Sequence, residues 1–149
     1  MDKSLKRKPL WAVGSAFIGL LCFIVYSAIQ APRQLREAYA AWDTGTLLVE
    51  YLKVHDDQWP KSWDDLLTVM DGKTESDFIL RGRGSLDREY AVSLREKVVI
   101  DWNFDPKSPG QSQPVTRLDG KPFPVTWQGA EPNKMIRDHL DSRPKPSKN

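Results

Sequence analysis

The longest apolar run in the chain lies near its start. Residues 10–29 read LWAVGSAFIGLLCFIVYSAI and contain no charged residue. A helix of about 20 residues crosses a hydrocarbon core of about 30 Å. Ten of these positions are Leu, Ile, Val or Phe, and each such side chain favours insertion by about 0.3–0.6 kcal/mol near the helix centre. The pattern therefore predicts a transmembrane helix over 10–30, with Trp11 and Tyr26 near its two ends.

Basic residues favour one orientation of this helix. Four precede it and two follow it closely, namely Lys3, Lys6, Arg7 and Lys8 before, and Arg33 and Arg36 after. Because cytoplasmic flanks carry the excess of Lys and Arg, residues 1–9 are predicted to be a cytoplasmic basic tail. A cleaved signal peptide is the alternative, but its apolar region is usually only about 7–15 residues long. The sequence thus predicts a retained signal-anchor in a single-pass cell-membrane protein, with its C-terminal domain extracytoplasmic.

Helical periodicity continues beyond the apolar run. Between residues 34 and 55, apolar or small residues recur at steps of three and four: Leu35, Ala38, Trp42, Gly45, Val49 and Leu52. This spacing predicts a helix with one packing face, while Asp43 and other charged residues fall elsewhere on the helix. Pro32 marks either the first turn of a new helix or a kink. Gly45 indicates close packing or a local bend.

Capping residues predict two short helices. The long helix must end before Trp59-Pro60, and Ser62 is placed to cap a helix over 63–70. The segment EPNKMIRDHLDS, residues 131–142, reads as a second short helix with Met135, Ile136 and Leu140 as its apolar contacts.

Alternating apolar positions predict strands between these helices. The first set is Tyr90, Val92 and Leu94, and the second is Val98, Ile100, Trp102 and Phe104. A period of two indicates strands with one buried face, so residues 90–104 are predicted to form an antiparallel hairpin. A second, shorter hairpin is predicted to turn at Asp119-Gly120, with Pro122 and Pro124 on an edge strand.

These elements predict an α+β fold. An N-terminal transmembrane helix extends into a long helix, which packs on a small antiparallel sheet with two short helices completing the cover. The expected organisation is a tail at 1–9, a transmembrane helix at 10–30, an extracytoplasmic α+β domain at 31–141 and a disordered tail at 142–149.

Charge and cysteine content narrow the function classes. The net charge is +2, and the four basic residues before the apolar run account for the surplus. The remainder is close to neutral, so nucleic acid is not an expected partner. The single cysteine, Cys22, lies within the apolar run, which excludes an intrachain disulfide and a thiol-based metal site. No cofactor is expected.

One short segment has the spacing of metal ligands. Asp101, Asn103 and Asp105 follow the D-x-N-x-D pattern that opens a calcium loop. Pro106 stands where that loop needs Gly, and Ser112 stands where a bidentate Glu would complete the coordination. An amphipathic strand with its acids on the wet face explains the same residues.

Tryptophans are the other candidate binding residues. The chain has six, and Trp59, Trp63 and Trp127 are candidates for a ligand platform, whereas an aromatic core is the alternative. His55 with Asp56 and Asp57 reads as a charge cluster at a helix end. The sequence contains no nucleophile-elbow, zincin, P-loop or dinucleotide-binding motif, so a non-catalytic protein is expected, with a cryptic hydrolase as an alternative.

The first half of the chain resembles type IV pilins and the pseudopilins of type II secretion. The resemblance covers residues 10–70, with an apolar helix, its amphipathic extension, and a Trp-Pro-x-Ser-x-x-x-Leu step at Trp59, Pro60, Ser62 and Leu66. The predicted antiparallel sheet follows this step, as it does in those proteins. A Gly-Phe prepilin peptidase junction is missing, as is Glu at the fifth position of the apolar run. The resemblance implies a structural or accessory envelope subunit whose partners are the bilayer and another envelope protein or itself. A membrane-tethered ligand-binding module, for example for glycans, is the alternative.

Overall fold

The computed structural model describes residues 10–110, 112–124 and 126–143, except for the side chains of 10–17, 19 and 28–31. In this part of the chain the helices are α1 (Leu10–Val54), α2 (Trp63–Leu67), α3 (Arg88–Ser93) and α4 (Pro132–Asp141), and the strands are β1 (Val98–Ile100) and β2 (Val115–Arg117). The 3-10 turns Thr68–Met70 and Leu94–Glu96 extend α2 and α3. The predicted α+β class, with a long first helix, a small antiparallel sheet and short helices, is confirmed.

The first helix is continuous over 45 residues. Pro32 lies inside it, so this proline does not begin a separate helix. The chain divides into two compact units, Met1–Gln34 and Leu35–Asn149, and α1 contributes residues to both. Within the described residues, no helix combines the length and the apolar character of a membrane span.

Apolar side chains of the first unit are exposed. Seven large ones have 51–67% of their surface accessible: Ile18, Leu20, Leu21, Phe23, Ile24, Val25 and Tyr26. Since successive residues of an α-helix are rotated by about 100°, these seven side chains point to all sides of α1.

The core of the second unit is built around α1. Leu47, Leu48 and Leu52 are fully buried and share one hydrophobic cluster with side chains from every other helix. The prediction of a single packing face was wrong in two respects, because Leu35 is 48% exposed and Asp43 is completely buried. A central helix that is covered from several directions buries residues on more than one face.

Gly45 lies where α1 meets α4. A Cβ atom at this position would lie 2.9 Å from the Met135 sulfur and 3.0 Å from the Pro132 Cα atom. Of the two roles predicted for Gly45, close packing is therefore confirmed. Because the Pro132 atom belongs to the backbone, a larger residue would force the two helices apart.

The first short helix begins as predicted. Ser62 has an extended backbone, and its hydroxyl oxygen accepts a hydrogen bond from the Asp65 backbone N–H at 3.1 Å. Asp64 and Asp65 lie in the first turn, where their negative charge is favoured by the helix dipole.

The strand predicted over Tyr90, Val92 and Leu94 is wrong, because these residues lie in α3 and its 3-10 extension. Asp87 caps the helix by accepting a hydrogen bond from the Tyr90 backbone N–H at 2.9 Å. The buried residues are Tyr90, Ala91 and Leu94, which is helical spacing. The alternating positions that suggested a strand do not include the buried residue Ala91.

The sheet contains one antiparallel pair in the described part of the chain. Its strands β1 and β2 pair Val98 with Arg117, Val99 with Thr116, and Ile100 with Val115. The hairpin predicted over 90–104 is therefore wrong, since β1 pairs with a later segment and ends at Ile100. The turn predicted at Asp119-Gly120 is present, and Gly120 has a φ of +74°.

Only part of the second predicted hairpin is formed. After the turn, the Arg117 backbone N–H donates a hydrogen bond to the Lys121 carbonyl oxygen at 3.0 Å, but residues 121–124 are not assigned to a strand. Pro122 and Pro124 have no N–H group to continue the ladder.

The C-terminal helix joins the sheet through one side chain. The predicted helix over 131–142 is confirmed as α4, with Ile136 and Leu140 buried. Asn133 is 3% exposed, and its side-chain amide bonds both the N–H and the carbonyl oxygen of Val115, each at 2.9 Å. The amide thus replaces a neighbouring strand at one edge of β2.

Both predicted tails fall wholly or partly outside the described residues. This applies to the cytoplasmic tail at 1–9 and to residues 144–149 of the C-terminal tail. Ser142 and Arg143, which the sequence assigned to that tail, are described: Ser142 follows α4, and Arg143 forms an ion pair with Asp57.

Candidate functional site

The predicted metal ligands lie in turns after β1. Asp101 accepts a hydrogen bond from the Asn103 backbone N–H at 3.0 Å, and Asp105 accepts one from the Lys107 N–H at 2.9 Å. Each carboxylate therefore stabilises its own turn. Asp101, Asn103 and Asp105 are exposed, and among the described residues no group of three His, Cys, Asp or Glu side chains is placed to hold a metal ion.

Two of the predicted platform tryptophans pack against the segment after β1. The Trp59 indole N–H donates a hydrogen bond to the Asp101 carbonyl oxygen at 2.9 Å, and its ring meets Phe104 at a centroid distance of 4.7 Å. Trp63 meets Trp102 edge to face at 5.8 Å. Trp59 and Trp63 are both half-buried, so they join the start of α2 to this segment.

The third tryptophan belongs to a different aromatic group. Trp127 packs against Tyr39 at 4.7 Å and against Trp42 at 5.6 Å, and both of these partners lie on α1. None of these ring contacts links Trp127 to Trp59 or Trp63. The three candidates therefore form two packing clusters instead of one platform.

The most unusual buried group is the carboxylate of Asp43, in the middle of α1. It accepts hydrogen bonds from the backbone N–H groups of Arg81 at 2.6 Å and Gly82 at 2.8 Å, and from the Tyr90 hydroxyl at 2.9 Å. Asp43 is 0% exposed. Three donors thus replace the water that this carboxylate would otherwise bind.

Burial has the largest effect on the pKa of the Asp43 carboxyl group. Desolvation raises the pKa of Asp43 above its usual value of 3.8, while the hydrogen bonds from Gly82, Tyr90 and Arg81 act in the opposite direction. Burial also raises the pKa of the Tyr90 hydroxyl, and the neighbouring Asp43 charge adds to that rise.

The loop that binds Asp43 has no space for a side chain at Gly82. A Cβ atom on Gly82 would overlap the Tyr90 hydroxyl oxygen and lie 3.0 Å from an Asp43 carboxylate oxygen. An isolated bridge between Leu80 and Ser85 closes the loop. The segment Arg81-Gly82-Arg83-Gly84 therefore includes two residues whose backbone N–H groups hold α1 in place.

A cavity of about 360 Å³ lies beside this network. Its lining consists of Arg36 from α1, Gly82 and Arg83 from the loop, Tyr90 and Ser93 from α3, and Lys97. Three of these six residues are cationic and none is acidic. The sequence did not indicate this cluster, since its basic residues come from three separate segments.

A second charged cluster lies at the C-terminal end of α1. Asp57 contacts His139 at 2.9 Å and Arg143 at 2.9 Å. Of the predicted cluster His55, Asp56 and Asp57, only Asp57 takes part in these contacts, and its partners are far away in the sequence. The three contacting side chains are 18–29% exposed, and the arrangement ties the end of α4 to the end of α1. The His55 ring stacks on Tyr51 at a centroid distance of 3.9 Å.

Comparison with protein-family models, with curated proteins and with solved structures finds no match.

Proposed function

We propose that this chain is a single-pass, membrane-anchored and non-catalytic envelope protein, a pilin-like structural or accessory subunit that acts through protein contacts. The observation that carries the proposal is the ring of apolar side chains from Ile18 to Tyr26, which are exposed on all sides of α1. Transfer of one such side chain out of water is worth about 1.5–3 kcal/mol. A helix that is apolar all round is stable in a bilayer or within a bundle of helices.

The flanking charges support the proposed orientation. Basic residues are denser before the apolar run than after it, so we place the N-terminus in the cytoplasm and the second unit outside it. The apolar run is also longer than the core of a cleaved signal peptide, which supports a retained anchor.

The second unit supports a structural role. Helix α1 forms the centre of its core, the Trp59-Pro60 step leads into the Ser62-capped helix α2, and an antiparallel strand pair follows. This order is the one for which the sequence resembles pilins and pseudopilins. The missing peptidase junction favours an accessory subunit that keeps its N-terminal tail.

Site-specific photo-crosslinking in intact cells tests the subunit role. A photoreactive residue at Leu118, which is 62% exposed, is expected to give covalent adducts heavier than the monomer. The same photoreactive residue at Lys107, which is also exposed, serves as the control position. Monomer alone at every position tested would count against a subunit. Quenching of tryptophan fluorescence by soluble glycans, together with monomer alone, would favour the tethered ligand-binding module.

A further inference from the structure

The cavity beside the Asp43 network is a concentration of positive charge. Its cationic side chains, Arg36, Arg83 and Lys97, come from α1, from the loop after Leu80 and from the segment before β1. A volume of about 360 Å³ falls in the range of small-ligand sites, about 300–1,000 Å³. The fold therefore gathers three cations around a space large enough for a small anion.

These cations are largely uncommitted. Among the described residues, Arg36 and Lys97 form no ion pair. The one ion pair that Arg83 forms in this part of the chain is with Asp87, at 3.7 Å, between side chains that are 61% and 34% exposed. A solvated pair of this kind contributes little to stability, so an incoming anion displaces no strong interaction.

Tyr90 helps to hold two of the cations in position. The Arg83 guanidinium lies 5.7 Å from the centre of the Tyr90 ring, and the Lys97 ammonium lies 5.1 Å from it. The Tyr90 hydroxyl is itself bonded to Asp43, which fixes the ring. Ser93 adds a hydroxyl oxygen 3.5 Å from the Lys97 ammonium. Prior ordering of charged side chains reduces the entropy lost on binding.

Acidic residues flank the cavity and favour a compact ligand. Asp87 and Glu89 line an adjoining cleft on one side, and Glu37 and Glu96 line another that shares Lys97. The buried Asp43 carboxylate lies beneath Tyr90 and Gly82. These charges repel an extended polyanion such as nucleic acid, whereas a single tetrahedral anion is small enough to fit within the volume that the three cations line.

We propose that this cavity binds a phosphate group, carried either by a soluble phosphate compound or by the headgroup of an anionic phospholipid. The planar guanidinium groups of Arg36 and Arg83 suit phosphate oxygens, because they donate paired hydrogen bonds. Lys97 supplies a third charge. The site belongs to the second unit alone, so the proposal does not depend on the membrane anchor.

Ligand-dependent thermal unfolding of the full chain in a neutral detergent tests the proposal. The probes are inorganic phosphate and dihexanoyl phosphatidylglycerol. Dihexanoyl phosphatidylcholine, whose phosphate charge is balanced by its own choline, is the zwitterionic control, and ionic strength is held constant with NaCl. A ligand that binds only the folded state stabilises it by RT ln(1 + [L]/Kd), so the unfolding midpoint rises with the ligand concentration. The double variant Arg36→Gln/Lys97→Gln removes two cations, and Arg95→Gln removes an exposed charge that does not line the cavity.

The expected result is a rise in midpoint for the unchanged protein and for Arg95→Gln. In the double variant, the apparent affinity should fall by at least about tenfold. A response to both probes supports a general phosphate site, a response to phosphatidylglycerol alone supports a lipid headgroup, and a response to inorganic phosphate alone supports a soluble ligand. No response to either probe, or an equal response in the double variant, would overturn the proposal. Circular dichroism of each variant establishes that it is folded.

Discussion

Asp43 links three segments of the second unit through one buried carboxylate. Its carboxylate connects the middle of α1 to the Arg81-Gly82 backbone and to Tyr90 on α3. These partners lie 38, 39 and 47 residues away in the sequence. An Asp within a run of helical spacing is normally solvated, so its burial was not predictable without those partners.

Replacing Asp43 by Asn tests this network. The amide keeps one acceptor oxygen but places an NH₂ group against backbone N–H donors, so Asp43→Asn is expected to destabilise the fold by about 1–3 kcal/mol. Chemical denaturation of the full chain in detergent, followed by tryptophan fluorescence, measures the loss. Asp141→Asn, at an exposed position at the end of α4, should change stability by no more than about 0.5 kcal/mol. Equal stability of the two variants would show that the network is unimportant.

The unchanged protein and Asp43→Asn are expected to differ in how their stability depends on pH. Because burial raises the pKa of Asp43 above 3.8, the folded state binds this proton more tightly than the unfolded state does. The contribution of Asp43 to stability is therefore fully present below pH 3.8 and is lost as the pH rises through the folded-state pKa. The stability of the unchanged protein relative to Asp43→Asn should increase as the pH is lowered from neutral into this window. A constant difference across the range would contradict the raised pKa.

At the scale of elements, the predictions that are confirmed rest on local sequence signals. Ser62 marked the start of α2, and apolar spacing located α4. Helix α3 was mistaken for a strand because a short window of alternating Tyr, Val and Leu residues fits both periods. Asp87 was the overlooked capping signal.

Pairing between distant elements could not be predicted from the sequence. Strand β1 pairs with β2, although the nearest apolar alternation suggested a hairpin with the preceding residues. The cationic cavity and the two tryptophan clusters likewise depend on which segments meet. Such contacts are set by the packing of the whole unit, whereas capping and periodicity are local.

The contact between α1 and α4 yields a prediction at this scale. Gly45→Val introduces side-chain atoms where even a Cβ lies 3.0 Å from the Pro132 Cα atom, so it should destabilise the fold by about 1–3 kcal/mol. The denaturation midpoint of the full chain in detergent measures the effect.

Lys53→Val provides the control for this contact. It places the same β-branched side chain at an exposed position of α1 and should cost no more than about 1 kcal/mol. A Gly45→Val protein as stable as this control would exclude tight packing at the contact.

At the scale of the whole molecule, the chain combines two different kinds of surface. The second unit buries most of its large apolar side chains around α1, whereas the described large apolar residues of the first unit are exposed. The proposed function explains this contrast by giving the first unit lipid as its solvent. It also gives the apolar run a reason to be free of charge from Leu10 to Ile29.

Alkaline carbonate extraction of membranes from cells that produce the full chain tests this claim most directly. A matched variant, Leu21→Arg/Ile24→Arg, opposes insertion by about 2.5–3.5 kcal/mol for each arginine. The unchanged protein should remain with the membrane pellet, and the variant should be partly released. Recovery of the unchanged protein in the carbonate supernatant would contradict the membrane anchor.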